Sequence, residues 1–161
     1  HNTTRLCLSI LDEQMPEGIE ILDMGCGSGI LSIAALLLGA KKVTAVDIDQ
    51  LATKIARENA DLNGIDPASL DIICGNVLKD EALADSLAAH PVDMILANIV
   101  ADVIIGMAPL FLRCLKKGGR LIVSGIITER AEEVLSVLRE TGFTVTEQKE
   151  DNGWCAACLT V

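Results

Sequence analysis

Aromatic residues are almost missing from this 161-residue sequence: Phe111, Phe143 and Trp154 are the whole set, and there is no tyrosine. No aromatic platform is available for stacking nucleic-acid bases. The core must be built from Leu, Ile, Val and Ala, which suits a parallel sheet covered by helices on both faces. Basic runs are missing too. Nothing longer than the pairs Lys41-Lys42 and Lys116-Lys117 occurs, and the formal net charge is −10. Phosphate contacts dominate nucleic-acid affinity, so no direct nucleic-acid binding is expected. The acidity suits a basic protein partner, or serves only solubility.

Histidine is limited to His1 and His90, which leaves metal, triad and phosphate chemistry poorly supported; no metal ligands are assigned. No apolar run is long enough to cross a membrane and no signal peptide is seen, so a cytoplasmic protein is expected. Of the cysteines, Cys7, Cys26, Cys74, Cys114, Cys155 and Cys158, several lie inside apolar patterns and read as buried reduced thiols. Cys155-x-x-Cys158 lacks a second such pair and a nearby His. It falls in a strand-like segment and reads as core rather than as a metal or redox site.

What is present is a regular alternation of strands and helices. A helix capped at Asn2 or Thr3 runs to about Gln14. Strands follow over Ile19–Met24, Val43–Val46 (ending at Asp47), Leu70–Cys74, Val92–Ala97 and Arg120–Ser124. Between them lie helices at Ile30–Leu38, after the Asp49 cap to Asn63-Gly64, and at Asp80–Ala89. The stretch Asp102–Leu115 is helical, with Pro109 expected to break or kink it. Gly118-Gly119 reads as a turn, and Thr128–Glu140 as a helix. Thr144–Lys149 and Trp154–Val161 are separated only by Asp151-Asn152-Gly153, so they form an antiparallel hairpin. The expectation is a single α/β domain over 1–161 with a doubly wound, Rossmann-like sheet and one reversed strand. The first residue is His1, which suggests a domain excised from something longer.

The run Asp23-Met24-Gly25-Cys26-Gly27-Ser28-Gly29 carries the chemistry. It does not fit the dinucleotide pattern G-x-G-x-x-G, whose third glycine would fall on Ile30 or Ser32. The spacing is G-x-G-x-G, with Asp23 two residues ahead. A carboxylate there repels a pyrophosphate and attracts a ligand bearing an ammonium and a sulfonium. Gly25, Gly27 and Gly29 let the backbone approach that ligand, and the next helix offers its N-terminus to a carboxylate. Asp47, at the end of the second strand, can accept both ribose hydroxyls. Asp49 is the rival for that role but suits helix capping. Asn76, after the third strand, either faces an adenine edge or makes a turn. Asn98 ends the fourth strand at the switch point of the sheet. Its amide oxygen either accepts a hydrogen bond from an amine nucleophile or caps the next helix.

His1-Asn2-Thr3-Thr4, Leu22 to Leu31, Ala45-Val46-Asp47-Ile48-Asp49 and Ala97-Asn98-Ile99 together resemble the bacterial ribosomal-protein lysine methyltransferase family (PrmA), whose substrate is large-subunit ribosomal protein eleven. Ser124-Gly125-Ile126, Gly142-Phe143 and Trp154 match later landmarks. The resemblance covers essentially the whole chain. It implies a class I methyltransferase fold with a seven-stranded sheet, S-adenosyl-L-methionine as cofactor, and cofactor contacts on Thr4, Gly25, Asp47 and Asn98. Ile48, beside Asp47, joins the cofactor-binding candidates. The implied reaction is in-line displacement of the sulfonium methyl by a neutral lysine or α-amine, with Asn98 orienting the nitrogen lone pair. Departures are the missing glycine-rich residues before His1, the missing N-terminal substrate-recognition domain, and Gly153 where the family has an acidic residue. A class I methyltransferase acting on RNA or a small molecule, and a cofactor-binding module without turnover, are the alternatives.

Overall fold

The computed structural model describes residues 1–161. Seven strands form one sheet: β1 (Glu20–Met24), β2 (Lys42–Asp47), β3 (Leu70–Cys74), β4 (Val92–Asn98), β5 (Leu115–Ile127), β6 (Thr144–Asp151) and β7 (Trp154–Thr160). Their order is β3-β2-β1-β4-β5-β7-β6. Only β7 runs against its neighbours, pairing antiparallel with both β5 and β6. The chain winds one way from β1 to β3 and the other way from β4 onward, so the switch point lies between β1 and β4.

Six helices cover the sheet: α1 (Asn2–Gln14), α2 (Ile30–Leu37), α3 (Gln50–Leu62), α4 (Glu81–Ala88), α5 (Ala101–Cys114) and α6 (Ala131–Thr141). Strand residues alternate between two cores. Met94, Leu96 and Ile122 pack with the side chains of α1, α2 and α3, while Ile95, Ala97, Leu121 and Val123 pack with those of α4, α5 and α6. This two-sided burial explains why the central strands read as continuous aliphatic runs. Cys155 joins one core and Cys158 the other. Three residues apart on a strand, they project to opposite faces and do not form a chelating pair. No helix is long and apolar enough to cross a membrane.

Several expectations need correction. The N-cap of α1 is His1 rather than Asn2 or Thr3, its ring accepting from the Thr3 amide at 3.2 Å. Of the break or kink expected at Pro109, the break is absent: α5 is continuous from Ala101 to Cys114. A mid-helix proline costs about 3 kcal/mol. Burial of Ile104, Leu110 and Phe111 around it outweighs that, at about 1.5–3 kcal/mol for each side chain. Gly118-Gly119 is not a turn between elements but part of a bulge inside β5. Leu115 already pairs with Val92, and Met94 next pairs with Arg120. Thr128–Arg130 is a 3-10 turn, so α6 starts at Ala131; the Thr128 amide is drawn to the Gly153 carbonyl at 2.9 Å. The hairpin forms where expected, but its turn is one residue shorter: Asp151 is in β6 and pairs with Trp154, while Asn152 and Gly153 have φ of 49° and 83°, the positive values a two-residue turn of this kind requires.

Candidate active site

The glycine loop leaves the end of β1 and is tied to the end of β2. The amides of Gly25 and Cys26 donate to the Val46 carbonyl at 2.8 and 3.0 Å. The Gly27 amide donates to Asp47 Oδ2 at 2.8 Å, and the Asp49 amide to Asp47 Oδ1 at 2.9 Å. Asn59 of α3 supports the far side, its Nδ2 donating to the Ser28 carbonyl at 2.9 Å. Gly25, Gly27 and Gly29 all have positive φ. At Gly25 space matters as well: a Cβ would lie 2.4 Å from Ile99 Cγ2.

Beside the loop is a cavity of about 360 Å³, within the range of small-ligand sites. Gly25, Asp47, Ile48 and Asn76 stand on one side of it. Ile99, Val100, Val103 and Met107, from the β4–α5 connection and α5, give it an apolar wall. Asp49 caps α3 by accepting from the Leu51 amide at 2.9 Å, which leaves Asp47 as the carboxylate on the cavity. Each of its oxygens is engaged once and keeps a second lone pair for a further donor. Asn76 lines the cavity and also makes a turn, accepting from the Leu78 amide at 3.1 Å.

The remaining candidates do not line this cavity. Asp23 lies beneath the loop, 1% exposed. Its Oδ2 accepts from the Ser32 hydroxyl at 2.6 Å, and its Oδ1 has no hydrogen-bond partner. Burial pushes its pKa from 3.8 up to about 6, with the nearby Asp47 charge adding to the rise and Ser32 opposing it. Asn98 and Thr4 form a second cluster next to Ile99. Asn98 Nδ2 donates to Thr4 Oγ1 at 3.5 Å, while Asn98 Oδ1 is buried and unbonded. Asn98 does not cap α5, whose N-cap is Val100. Two orphaned acceptors, Asp23 Oδ1 and Asn98 Oδ1, thus flank the loop. A buried polar atom without a partner is costly, and the fold carries that cost at both positions.

The free protein carries a consequence of the Asp23 burial. The folded pKa exceeds the unfolded one, so the ionised carboxylate destabilises the fold above pH 6, and that loss is recovered as pH falls through 6 toward 4. Asp23→Asn is expected to raise the thermal midpoint at pH 8 by roughly 5–10 °C, from about 3 kcal/mol of relieved burial, and by progressively less below pH 6. Melting curves of both proteins across this range check it; a constant difference would refute the assignment.

A family model described as ribosomal protein L11 methyltransferase (PrmA) matches residues 1–160. The chain belongs to this family. The ribosomal protein L11 methyltransferase of Acetivibrio thermocellus is 42% identical over 159 residues, covering 99% of this chain and 48% of that protein. That of Ectopseudomonas mendocina is 46% identical over 134 residues, covering 83% of this chain and 43% of that protein. The chain spans about half the length of the curated relatives it matches. The crystal structure of a ribosomal protein L11 methylase from Lactobacillus delbrueckii subsp. bulgaricus has a TM-score of 0.90 at 31% identity, covering 99% of this chain and 78% of that one. The sheet order and the reversed β7 are those of a class I methyltransferase, as the PrmA resemblance implied.

Several site residues escaped the reading of the sequence. Ser32, the partner of Asp23, looked like an ordinary residue in an apolar helix. Ile99 carried no signal beyond its place in the Asn98 motif, although it fills the space above Gly25. Asn59 carried no local signal. Ser124 was a landmark without a role, yet its hydroxyl is buried and donates to the Thr3 carbonyl at 2.8 Å.

Proposed function

We propose that this chain is the catalytic part of an S-adenosylmethionine-dependent N-methyltransferase whose acceptor is an amino group of a large-subunit ribosomal protein. The observation that carries the reading is the unbonded Oδ1 of Asn98, held at the switch point beside the cavity that Gly25 and Asp47 line.

The cofactor, when bound, supplies an electrophilic methyl on a sulfonium. The residues present suit it. Asp47 offers free lone pairs to two ribose hydroxyls. Ile48, Val100, Val103 and Met107 offer apolar faces to a purine, and Asn76 stands where its edge would lie. Gly25, Gly27 and Gly29 keep the backbone close, and Asp23 places negative charge beneath the amino-acid end. Thr4 and Asn98 meet at the reacting end. There Asn98 Oδ1 accepts a hydrogen bond from the attacking amine and so aims its lone pair at the methyl. With the cofactor bound, a carbon–nitrogen bond would form as the carbon–sulfur bond broke, and the extra proton would leave to solvent. A free lysine is mostly protonated at neutral pH, with a pKa of about 10.4; a neighbouring sulfonium and partial desolvation favour the neutral form. Orientation of this sort carries much of such a reaction without a general base.

The formal net charge of −10 suits a basic acceptor protein, and an acceptor of this kind places the reaction in the cytoplasm. Transfer of labelled methyl groups from S-adenosylmethionine to fractionated, unmethylated ribosomes tests the reading. Label in a single large-subunit protein is the expected result; label in ribosomal RNA would overturn it.

A further inference from the structure

Ser124 is among the few polar residues that are completely buried, and nothing in the reaction described above uses it. It sits at the join of the three segments that build the reacting end of the site. Its position in β5 pairs directly with Asn98 in β4. Its carbonyl accepts from the Ile99 amide at 3.2 Å. Its hydroxyl crosses to the N-terminal helix and donates to the Thr3 carbonyl at 2.8 Å. The next residue, Gly125, has φ of 82°, and a Cβ there would lie 2.8 Å from the Ile99 carbonyl oxygen and 3.1 Å from Asn98 Oδ1. The Asn98 carboxamide therefore packs against this backbone on one side and meets Thr4 on the other.

The Thr4 contact has almost no margin. At 3.5 Å it is at the outer limit of a hydrogen bond, so a few tenths of an ångström in the position of α1 make or break it. Thr4 belongs to the first turn of α1, and helix ends fray unless they are held. Two devices hold this one. The His1 ring caps the helix through the Thr3 amide at 3.2 Å and stacks edge-on against Trp154 with ring centres 5.4 Å apart. The Ser124 hydroxyl supplies the only one of these ties that reaches the sheet strand next to Asn98.

We propose that Ser124 is a positioning residue: by pinning Thr3 it sets the Thr4 hydroxyl against Asn98 Nδ2, fixes the rotation of the carboxamide, and leaves Oδ1 as the face presented to the amine. The proposal rests on the methyltransferase reading for its catalytic consequence, but the placement of the carboxamide can be tested without turnover. A structural role alone would affect the site only as far as it affects stability.

The experiment compares Ser124→Ala with Leu11→Ala, which truncates a buried core residue of the same helix and leaves the Ser124 tie intact. Nuclear magnetic resonance follows the Asn98 side-chain amide, identified by its loss in Asn98→Ala. Turnover is measured with S-adenosylmethionine and unmethylated ribosomal protein L11, and cofactor affinity by calorimetry. In Ser124→Ala the Asn98 amide signals move, kcat falls at least tenfold, and cofactor affinity stays within threefold. In Leu11→Ala the thermal midpoint falls as far or further, with the amide signals in place and kcat within threefold. Unmoved amide signals in Ser124→Ala, or a fall in kcat that follows the thermal midpoint equally in both variants, would overturn the proposal. A wild-type chain that transfers no methyl to the ribosomal protein overturns the functional reading instead, and the amide signals then decide the positioning role alone.

Discussion

Asn98→Ala is expected to slow methyl transfer by about 100-fold or more, the scale on which loss of alignment acts, without weakening the fold. The structure separates the two effects. The only hydrogen bond of the side chain is the 3.5 Å contact to Thr4, and Oδ1 has none. Truncation therefore removes no strong bond and deletes a buried atom that is unsatisfied in the free protein, a change that is neutral or stabilising. The thermal midpoint should hold or rise, and cofactor affinity should change far less than turnover. Steady-state kinetics, calorimetry and melting curves on one preparation are sufficient. Wild-type turnover in this variant would remove Asn98 from the chemistry, and a loss of turnover accompanied by an equal loss of cofactor affinity would make it a binding residue only.

Gly25→Ala is expected to have the largest effect on the protein as a whole. Two penalties coincide there. An alanine at φ of 79° is strained, at about 1–3 kcal/mol, and its Cβ would meet Ile99 Cγ2 at 2.4 Å. Ile99 is a branched side chain on the cavity wall, next to Asn98, so it has no flexible end to withdraw. Forcing it aside adds about 1–3 kcal/mol. A fall in thermal midpoint on the order of 10 °C and a cofactor affinity too weak to measure by calorimetry are the expected outcomes. Adding Ile99→Ala to Gly25→Ala should restore part of the stability, because the clash goes while the backbone strain stays. An additive double variant would show that the two residues do not press on one another.

The sheet was readable because most strands are bounded by glycine, proline or a charged residue, and because two-sided burial makes the central strands continuously aliphatic. The glycine loop and Asp47 were readable for a related reason: both lie at strand ends, where local spacing alone fixes which side chains reach the switch point. Other parts follow from packing that no local pattern encodes. Pro109 was read by its own chemistry, whereas the apolar residues around it decide the helix. Thr4 stood out only through the PrmA resemblance, because nothing within α1 says that Asn98 comes to lie beside it. Ser124 and Thr3 are 121 positions apart, and their meeting depends on the docking of α1 over the β5 end of the sheet. Asp23 was read as a charge facing the ligand. Its position under the loop and its bond to Ser32 depend on how α2 folds back; burial raises its pKa and the Ser32 bond opposes the rise.

The division of the cysteines between two cores has a consequence for chemistry at sulfur. Cys7, Cys26, Cys114, Cys155 and Cys158 are all buried, and Cys74 alone is exposed. Burial also pushes the Cys26 thiol up to about 12 and the Cys114 thiol to about 11, with Cys7, Cys155 and Cys158 raised as well. Access and ionisation both silence these thiols at neutral pH, since the thiolate is the reactive form. The folded chain thus offers one surface handle for alkylating or fluorescent reagents, placed on the edge strand next to the carboxylate side of the cavity. The other five become reactive only when the molecule opens, with thiols on both faces of the sheet reporting on the two layers separately.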